Sequence, residues 1–241
     1  MSFSRGPALE DAPDNRALTR DMAGIGMNFA AKPNARAPVE ETLVHASELG
    51  MDAHDLRVLA VLTTWLGAHH GYVNADRLLR CLREHPSMRV HTYWASVANR
   101  LAKDRRFVRL KKLHHGPSID LLPVGSDFQI ARRGEDDRFA GSALRVPAGI
   151  LRDRETDVLS PKALVRQHAG YRNRVLMGPT WRADVWTVLE SEAEMSIAEV
   201  ARRAGCSFAT AWQVSQDFRL LRDVTASVSR AATALGEVRS C

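Results

Sequence analysis

The chain has little cysteine and none of the short motifs that announce a chemistry. Its 241 residues include three cysteines, Cys81, Cys206 and Cys241, too far apart for zinc-ligand or disulfide-framework spacing. Nothing therefore calls for an oxidising compartment, and a reducing cytoplasm is the expected home. No apolar run reaches the ~20 residues that cross a bilayer. The N-terminus also lacks the charged and apolar regions of a secretion signal, so no membrane partner is expected. A Gly-rich phosphate loop, a nucleophile elbow and a His-Glu-x-x-His pair are missing too. No catalytic residue, metal or cofactor is expected.

What the chain does have is positive charge, unevenly spread. The formal net charge is +6 and the sequence pI about 9.6, a balance that favours a polyanionic partner. Between His54 and Leu122 there are twelve Lys and Arg against five Asp and Glu, a surplus of seven, which leaves the remainder close to neutral. Seven of the nine histidines fall in the same stretch. The pairs His69-His70 and His114-His115 have no Cys or carboxylate at ligand spacing, so they read as loop histidines near phosphate.

Residues 1–38 carry Gly, Pro, Ala, Asn and Asp without periodicity and read as a flexible arm, with Arg5, Arg16, Arg20, Lys32 and Arg36 available to phosphates. From Val39 the apolar spacing becomes helical. Leu56, Leu59, Leu62 and Leu66 predict one helix, and Asn74 caps a second that stops before Pro86. A third is predicted from about Val90 to Asp104, with Trp94, Val97, Ala98 and Leu101 inward. Its opposite face shows Arg89, Thr92, Ser96, Asn99, Arg100 and Lys103. Two apolar segments, 107–110 and 119–122, then read as strands joined by a basic tip that holds Lys111, Lys112 and His115 and turns at Gly116-Pro117. Three helices followed by such a hairpin is the order of a winged helix.

A second helix-turn-helix reads from Ser196 to Leu221. Ile197, Val200 and Ala201 share one face of its first helix, and Ala211, Val214 and Phe218 share one face of the second. Gly205 supplies the left-handed corner between them, and Ser207 caps the second helix. Thr180 caps a preceding helix, 181–191, whose core stripe is Val185, Trp186 and Leu189. The outward side offers Ser207, Thr210, Gln213 and Gln216, residue types that read base edges, but only Arg202, Arg203 and Arg219 to anchor phosphates. Trp212 lies near that side, where it packs on the preceding domain or meets a partner subunit. The small, polar sequence after Leu221 predicts a short or frayed end.

The fold expected is therefore mainly α with small β wings, as tandem winged-helix or helix-turn-helix domains. A winged-helix domain spans 39–125, a connector or small intermediate domain spans 126–179, and a helix-turn-helix domain with a loose tail spans 180–241. The two helical units resemble winged-helix transcription regulators. The segments Leu159-Ser-Pro-Lys-Ala-Leu, Tyr171-Arg-Asn-Arg and Gly178-Pro-Thr-Trp-Arg-Ala-Asp resemble regulators of bacterial toxin–antitoxin and phage-defence loci of the abortive-infection type. That resemblance implies an autorepressor. The DNA-contacting set expected is Arg89, Thr92, Ser96, Asn99, Arg100, Lys103, Arg105, Arg106, Lys111, Lys112, His115, Ser207, Thr210, Gln213 and Gln216. Double-stranded DNA is the expected partner of a homodimer that represses transcription. The alternatives are a plasmid or phage replication initiator or partition protein, and an antitoxin or adaptor whose chief partner is a protein.

Overall fold

The computed structural model describes residues 15–237; Arg5 and the first fourteen residues of the expected arm lie outside them. The chain divides into two compact units, residues 1–169 and 170–241.

In the first unit, helix starts follow local hydrogen-bond chemistry. The Asp55 carboxylate accepts from the backbone N–H groups of Arg57 and Val58, and opens a helix at Leu56–His69. Asn74 does the same for Ala75–Glu84 through Arg77 N–H, and Ser87 for Met88–Arg100 through Val90 N–H. In chain order the helices are α1 (Asn15–Gly24), α2 (Val39–Met51), α3 (Leu56–His69), α4 (Ala75–Glu84), α5 (Met88–Arg100), α6 (Ser126–Arg133) and α7 (Pro161–Gln167). A 3₁₀ helix spans Arg105–Leu113.

α5 runs through the middle of this unit. Val90, Thr92, Tyr93, Trp94, Ala95, Ser96, Val97 and Ala98 are all buried. Its large rings keep their polar atoms paired, as burial requires. Trp94 Nε1 donates to Ser47 Oγ at 3.0 Å, and Tyr93 Oη lies 3.1 Å from Thr63 Oγ1. On α3, Trp65 Nε1 donates to the Ile25 carbonyl at 2.7 Å.

Three features differ from the expected layout. Residues 15–38 are not an arm. Leu18, Met22, Ile25 and Met27 are buried, and Gly24 lies so close to the 34–37 loop that a Cβ there would stand 2.0 Å from the Asn34 carbonyl oxygen. Residues 126–169 are not a separate connector either. Phe139 is buried beside Tyr93, and Leu144 N–H donates to Ser96 Oγ on α5.

The third difference removes the wing. Residues 107–110 belong to the 3₁₀ helix. The short strand β1 (Ile119–Asp120) pairs in parallel with β2 (Leu144–Arg145), so no hairpin joins 107–110 to 119–122.

The second unit holds α8 (Ala169–Met177), α9 (Trp181–Ser191), α10 (Ile197–Ala204) and α11 (Phe208–Glu237). Ser196 caps α10 by accepting from Glu199 N–H, and Gly205 ends it in the left-handed conformation at φ 72°. Cys206 N–H then returns to the Ala201 carbonyl, closing the corner as a helix C-cap does. Val185 and Leu189 of α9, Val200, Ala201 and Ala204 of α10, and Ala211, Val214 and Phe218 of α11 make one apolar cluster. The predicted trio of helices and its corner are present. The expected frayed end is not: α11 continues as helix to Glu237. Across both units the architecture is mainly helical with one small two-stranded sheet.

Candidate nucleic-acid interface

The expected docking helix 90–104 is the buried α5, and this changes the role of its polar residues. Thr92 and Ser96 are fully buried. Thr92 Oγ1 donates to the Met88 carbonyl and lies 2.8 Å from His114 Nδ1, while Ser96 Oγ holds Leu144 N–H. Both are internal fasteners with no face toward a groove. Arg89 is also committed inward, donating to the carbonyls of Met51, Asp120 and Leu121. Apart from Met88 at its start, the helix is exposed at its end, at Asn99 and Arg100, and Arg100 also donates to the Thr63 carbonyl at 3.3 Å.

The basic residues that follow are gathered differently than expected. A 3₁₀ helix turns every three residues with a rise of about 2 Å each, so side chains at i and i+3 stand in line, about 6 Å apart. In Arg105–Leu113 this makes three rows. Phe107 and Leu110 are fully buried and Leu113 half-buried, and this row docks the element along α5 and α4. Arg106, Arg109 and Lys112 form the second row and are exposed. Arg105 and Lys111 flank Val108 in the third. The result is a basic ridge, continuous with the exposed Lys103 before it and His115 after it.

Not all of its charges are equally available. Arg106 binds Asp104 through its Nε and Nη2, and also reaches the carbonyls of Val73 and His70. Its guanidinium, hydrogen-bonded to Asp104, holds that carboxyl below the usual carboxylate range. Arg109 meets Asp76 at 3.0 Å, but both side chains are more than half exposed, so this pair is weak and exchangeable. Lys103, Arg105 and Lys112 are exposed. Arg109 is absent from the expected contact set; a count of apolar positions in threes would have placed it in the row between Arg106 and Lys112.

The charge bookkeeping is decisive. From Arg100 to Lys112 there are seven Lys and Arg and one Asp, a surplus of six that equals the net charge of the whole chain. Outside those residues the two signs balance at 27 each.

The histidines serve the fold. His69 is buried, stacked on Trp65 at 4.7 Å and hydrogen-bonded to the Leu159 carbonyl at 2.9 Å. Burial lowers its pKa to about 4, the carbonyl bond opposing only in part. His70 pairs with the Leu66 carbonyl and His114 with Thr92. Of the two expected loop pairs, only His115 is exposed. Among the described residues no group of three His, Cys, Asp or Glu is placed to hold a metal ion. None of the described helices is long and apolar enough to cross a membrane.

In the second unit, the outward side of α11 carries Ser207 before it and Gln213 and Gln216 along it, all exposed. Ser207 and Thr210 bind each other at 2.9 Å, and Ser207 caps Thr210 N–H, so the pair is used at the helix start. Arg202 and Arg203 share Glu199, whose carboxyl their hydrogen bonds depress to about 2. Residues 170–241 hold nine Lys and Arg against eight Asp and Glu. Phe208 and Trp212, 58% and 53% exposed, stand among the polar residues. This face has base-reading side chains but little surplus charge, and it has exposed apolar surface. Comparison with known proteins gave no matching family model, no matching curated protein and no matching solved structure.

Proposed function

We propose that this protein binds double-stranded DNA through the basic ridge of residues 103–115 and acts as a transcriptional regulator, repressing by occupying its site. The observation that carries this reading is the gathering of six Lys and Arg against the single Asp104 within residues 103–115, a surplus of five in a chain whose net charge is +6. Neutralised phosphates release counterions, and such contacts supply most non-specific affinity. The row from Arg106 to Lys112 is about 12 Å long, enough to follow roughly three phosphates of one strand. A buried α5 cannot enter a groove, so this mode of binding grips the backbone, and any base reading falls to Asn99 at the ridge end or to Gln213 of α11.

The test is salt dependence. Lys103→Ala, Arg105→Ala and Lys112→Ala should each weaken binding to every duplex and reduce the slope of log affinity against log salt by about 0.9. Unchanged slopes in all three would overturn the ridge as the docking element. A regulator should also protect discrete sites in a footprint of its own upstream region; uniform protection would leave a DNA-coating protein in its place.

A further inference from the structure

Two arginines of the first unit, Arg152 and Arg154, stay unpaired where acids are plentiful. Asp153, Glu155 and Asp157 are their neighbours in sequence, yet neither guanidinium makes a hydrogen bond or ion pair with a described residue. The backbone gives the reason. Residues 152–154 are extended, with Arg154 at φ −134° and ψ 110°, so successive side chains point to opposite sides. Asp153 turns toward α3, where it accepts from Thr64 Oγ1 at 2.8 Å and lies 3.7 Å from Arg138. Arg152 and Arg154 share the other side. The segment is also fastened: Asn28 N–H donates to the Asp157 carbonyl at 2.9 Å, Leu159 N–H to the Gly26 carbonyl at 2.8 Å, and Leu151 is buried.

A third arginine meets them. Arg57, in the first turn of α3, holds its guanidinium 5.5 Å over the centre of the Phe29 ring. Arg57, Arg152 and Arg154 line one cavity of about 480 Å³, a size that suits a small ligand. Its floor is apolar, made by Leu56, Ala60 and Ile150, and Asp157 is the one carboxylate that lines it. Asp55, the N-cap of α3, is already used by the N–H groups of Arg57 and Val58. Arg152 and Arg154 also border a neighbouring hollow with Glu135 and Asp137, and pair with neither.

Three guanidiniums against one carboxylate leave the cavity a surplus of two positive charges. Like charges gathered in this way repel one another, so the arrangement favours an anion. The planar fork of arginine fits carboxylate and phosphate alike. Charge decides between them. A carboxylate brings one negative charge, whereas a phosphate monoester brings about 1.5–2 at pH 7 and matches the surplus. We infer that this cavity binds an organic phosphate monoester, with the phosphate held by Arg57, Arg152 and Arg154 and the organic group laid on Leu56, Ala60 and Ile150. The site uses no residue of the ridge 103–115 and does not rest on the DNA reading. It gives the protein a small-molecule ligand besides a duplex.

Calorimetric titration of the nuclease-treated full chain tests it, with phenyl phosphate as the probe. Saturable binding at one per chain is expected. Inorganic phosphate, which has no group for the floor, should bind more weakly. So should dimethyl phosphate, a diester with the single charge of a nucleic-acid backbone. Raising the pH from 5 to 7 should tighten phenyl phosphate severalfold, because a monoester completes its second ionisation near pH 6 while arginine stays charged. Arg152→Ala and Arg154→Ala, at exposed positions, should each weaken it roughly tenfold with the unfolding midpoint unchanged. Lys112→Ala should leave it unaltered, which separates this cavity from the ridge. No saturable binding at millimolar phenyl phosphate, binding indifferent to both Ala substitutions, or a preference for the diester would overturn the inference. Loss of duplex affinity in Arg152→Ala without any phenyl phosphate binding would overturn it too, and make these arginines further contacts to a nucleic-acid backbone.

Discussion

α5 and α11 each close a group of packed helices, and each bears polar residues along one side, yet one is buried from Thr92 to Ala98 and the other is half bare. On α5 the hydroxyls of Thr92 and Ser96 turn inward, because the 119–145 region and His114 supply partners that let them be buried. On α11 the apolar side chains of Phe208, Trp212, Leu220 and Val224 are half exposed or more. A polar side is therefore not the same as a wet side. Small hydroxyls are inexpensive to bury once a backbone or ring partner exists, whereas long amides and charges stay outside.

The comparison breaks most visibly at tryptophan. Trp94 is fully buried and donates to Ser47; Trp212 is 53% exposed. Trp94→Ala should cost the first unit about 3–5 kcal/mol through lost burial, a cavity and a lost hydrogen bond. Trp212→Ala, which gives up about half that burial and opens no enclosed cavity, should cost about 1–2 kcal/mol. Urea unfolding of both variants measures the difference. Equal costs would mean that the two helices are covered alike.

Acid sharpens the same contrast. His69 titrates at about 4 when folded against 6.5 when exposed, so between those values the unfolded chain binds a proton that the folded unit refuses. Stability contributed by the neutral ring is complete above pH 6.5 and is lost as pH falls, about 2 kcal/mol by pH 5 and about 3 kcal/mol by pH 4. Residues 170–241 contain no histidine, and the depressed carboxyl of Glu199 gives up its share only as pH drops from 4.5 toward about 2. Unfolding curves at pH 7 and pH 5 should therefore shift for the first unit and coincide for the second. A first unit indifferent to pH between 7 and 5 would sink the account of His69.

Much of this was legible in the sequence, and the failures have physical causes. The corner at Gly205, the caps at Asn74 and Ser207, and the cluster of Val200, Val214 and Phe218 are local features, set by residues within a few turns of one another, whereas Thr180 opens α9 without the side-chain cap bond expected of it. The burial of Thr92 and Ser96 depends on residues 22 and 48 positions away, which no periodicity reports. The lost wing was a choice between periods. Phe107, Leu110 and Leu113 recur in threes, and the charged Arg109 falls where an alternating strand would need its inward residue; the apolar run 107–110 hid that spacing. The surplus that counting locates in residues 54–122 narrows, on the same count, to 100–112, and the structure exposes Lys103, Arg105, Arg106, Arg109 and Lys112 of it.

The inward role of the α5 hydroxyls gives a smaller effect and a cleaner separation. Ser96→Ala leaves Leu144 N–H with only its longer bond to Ser142 Oγ at 3.3 Å, and Thr92→Val removes the contact to His114. Each should cost about 1–2 kcal/mol of stability while leaving duplex affinity and its salt slope unchanged in the folded fraction. A Ser96→Ala protein of full stability with weakened DNA binding would return α5 to the role its sequence suggests.

The smallest effect on stability belongs to the ridge itself. Lys103 and Lys112 are exposed, and each stands in a run of like charge where removing one cation relieves repulsion from its neighbours. Lys103→Ala and Lys112→Ala should therefore leave the unfolding midpoint within about 0.5 kcal/mol of the wild type, with any change at low salt toward greater stability. Added salt screens the repulsion over about 10 Å at 0.1 M, so the small gain should vanish as ionic strength rises. A fold maintains such a like-charged row at no benefit to itself, which is the expected condition of a surface held ready for an anionic partner. Measurable destabilisation by either substitution would instead make the lysines structural, and the ridge a consequence of packing.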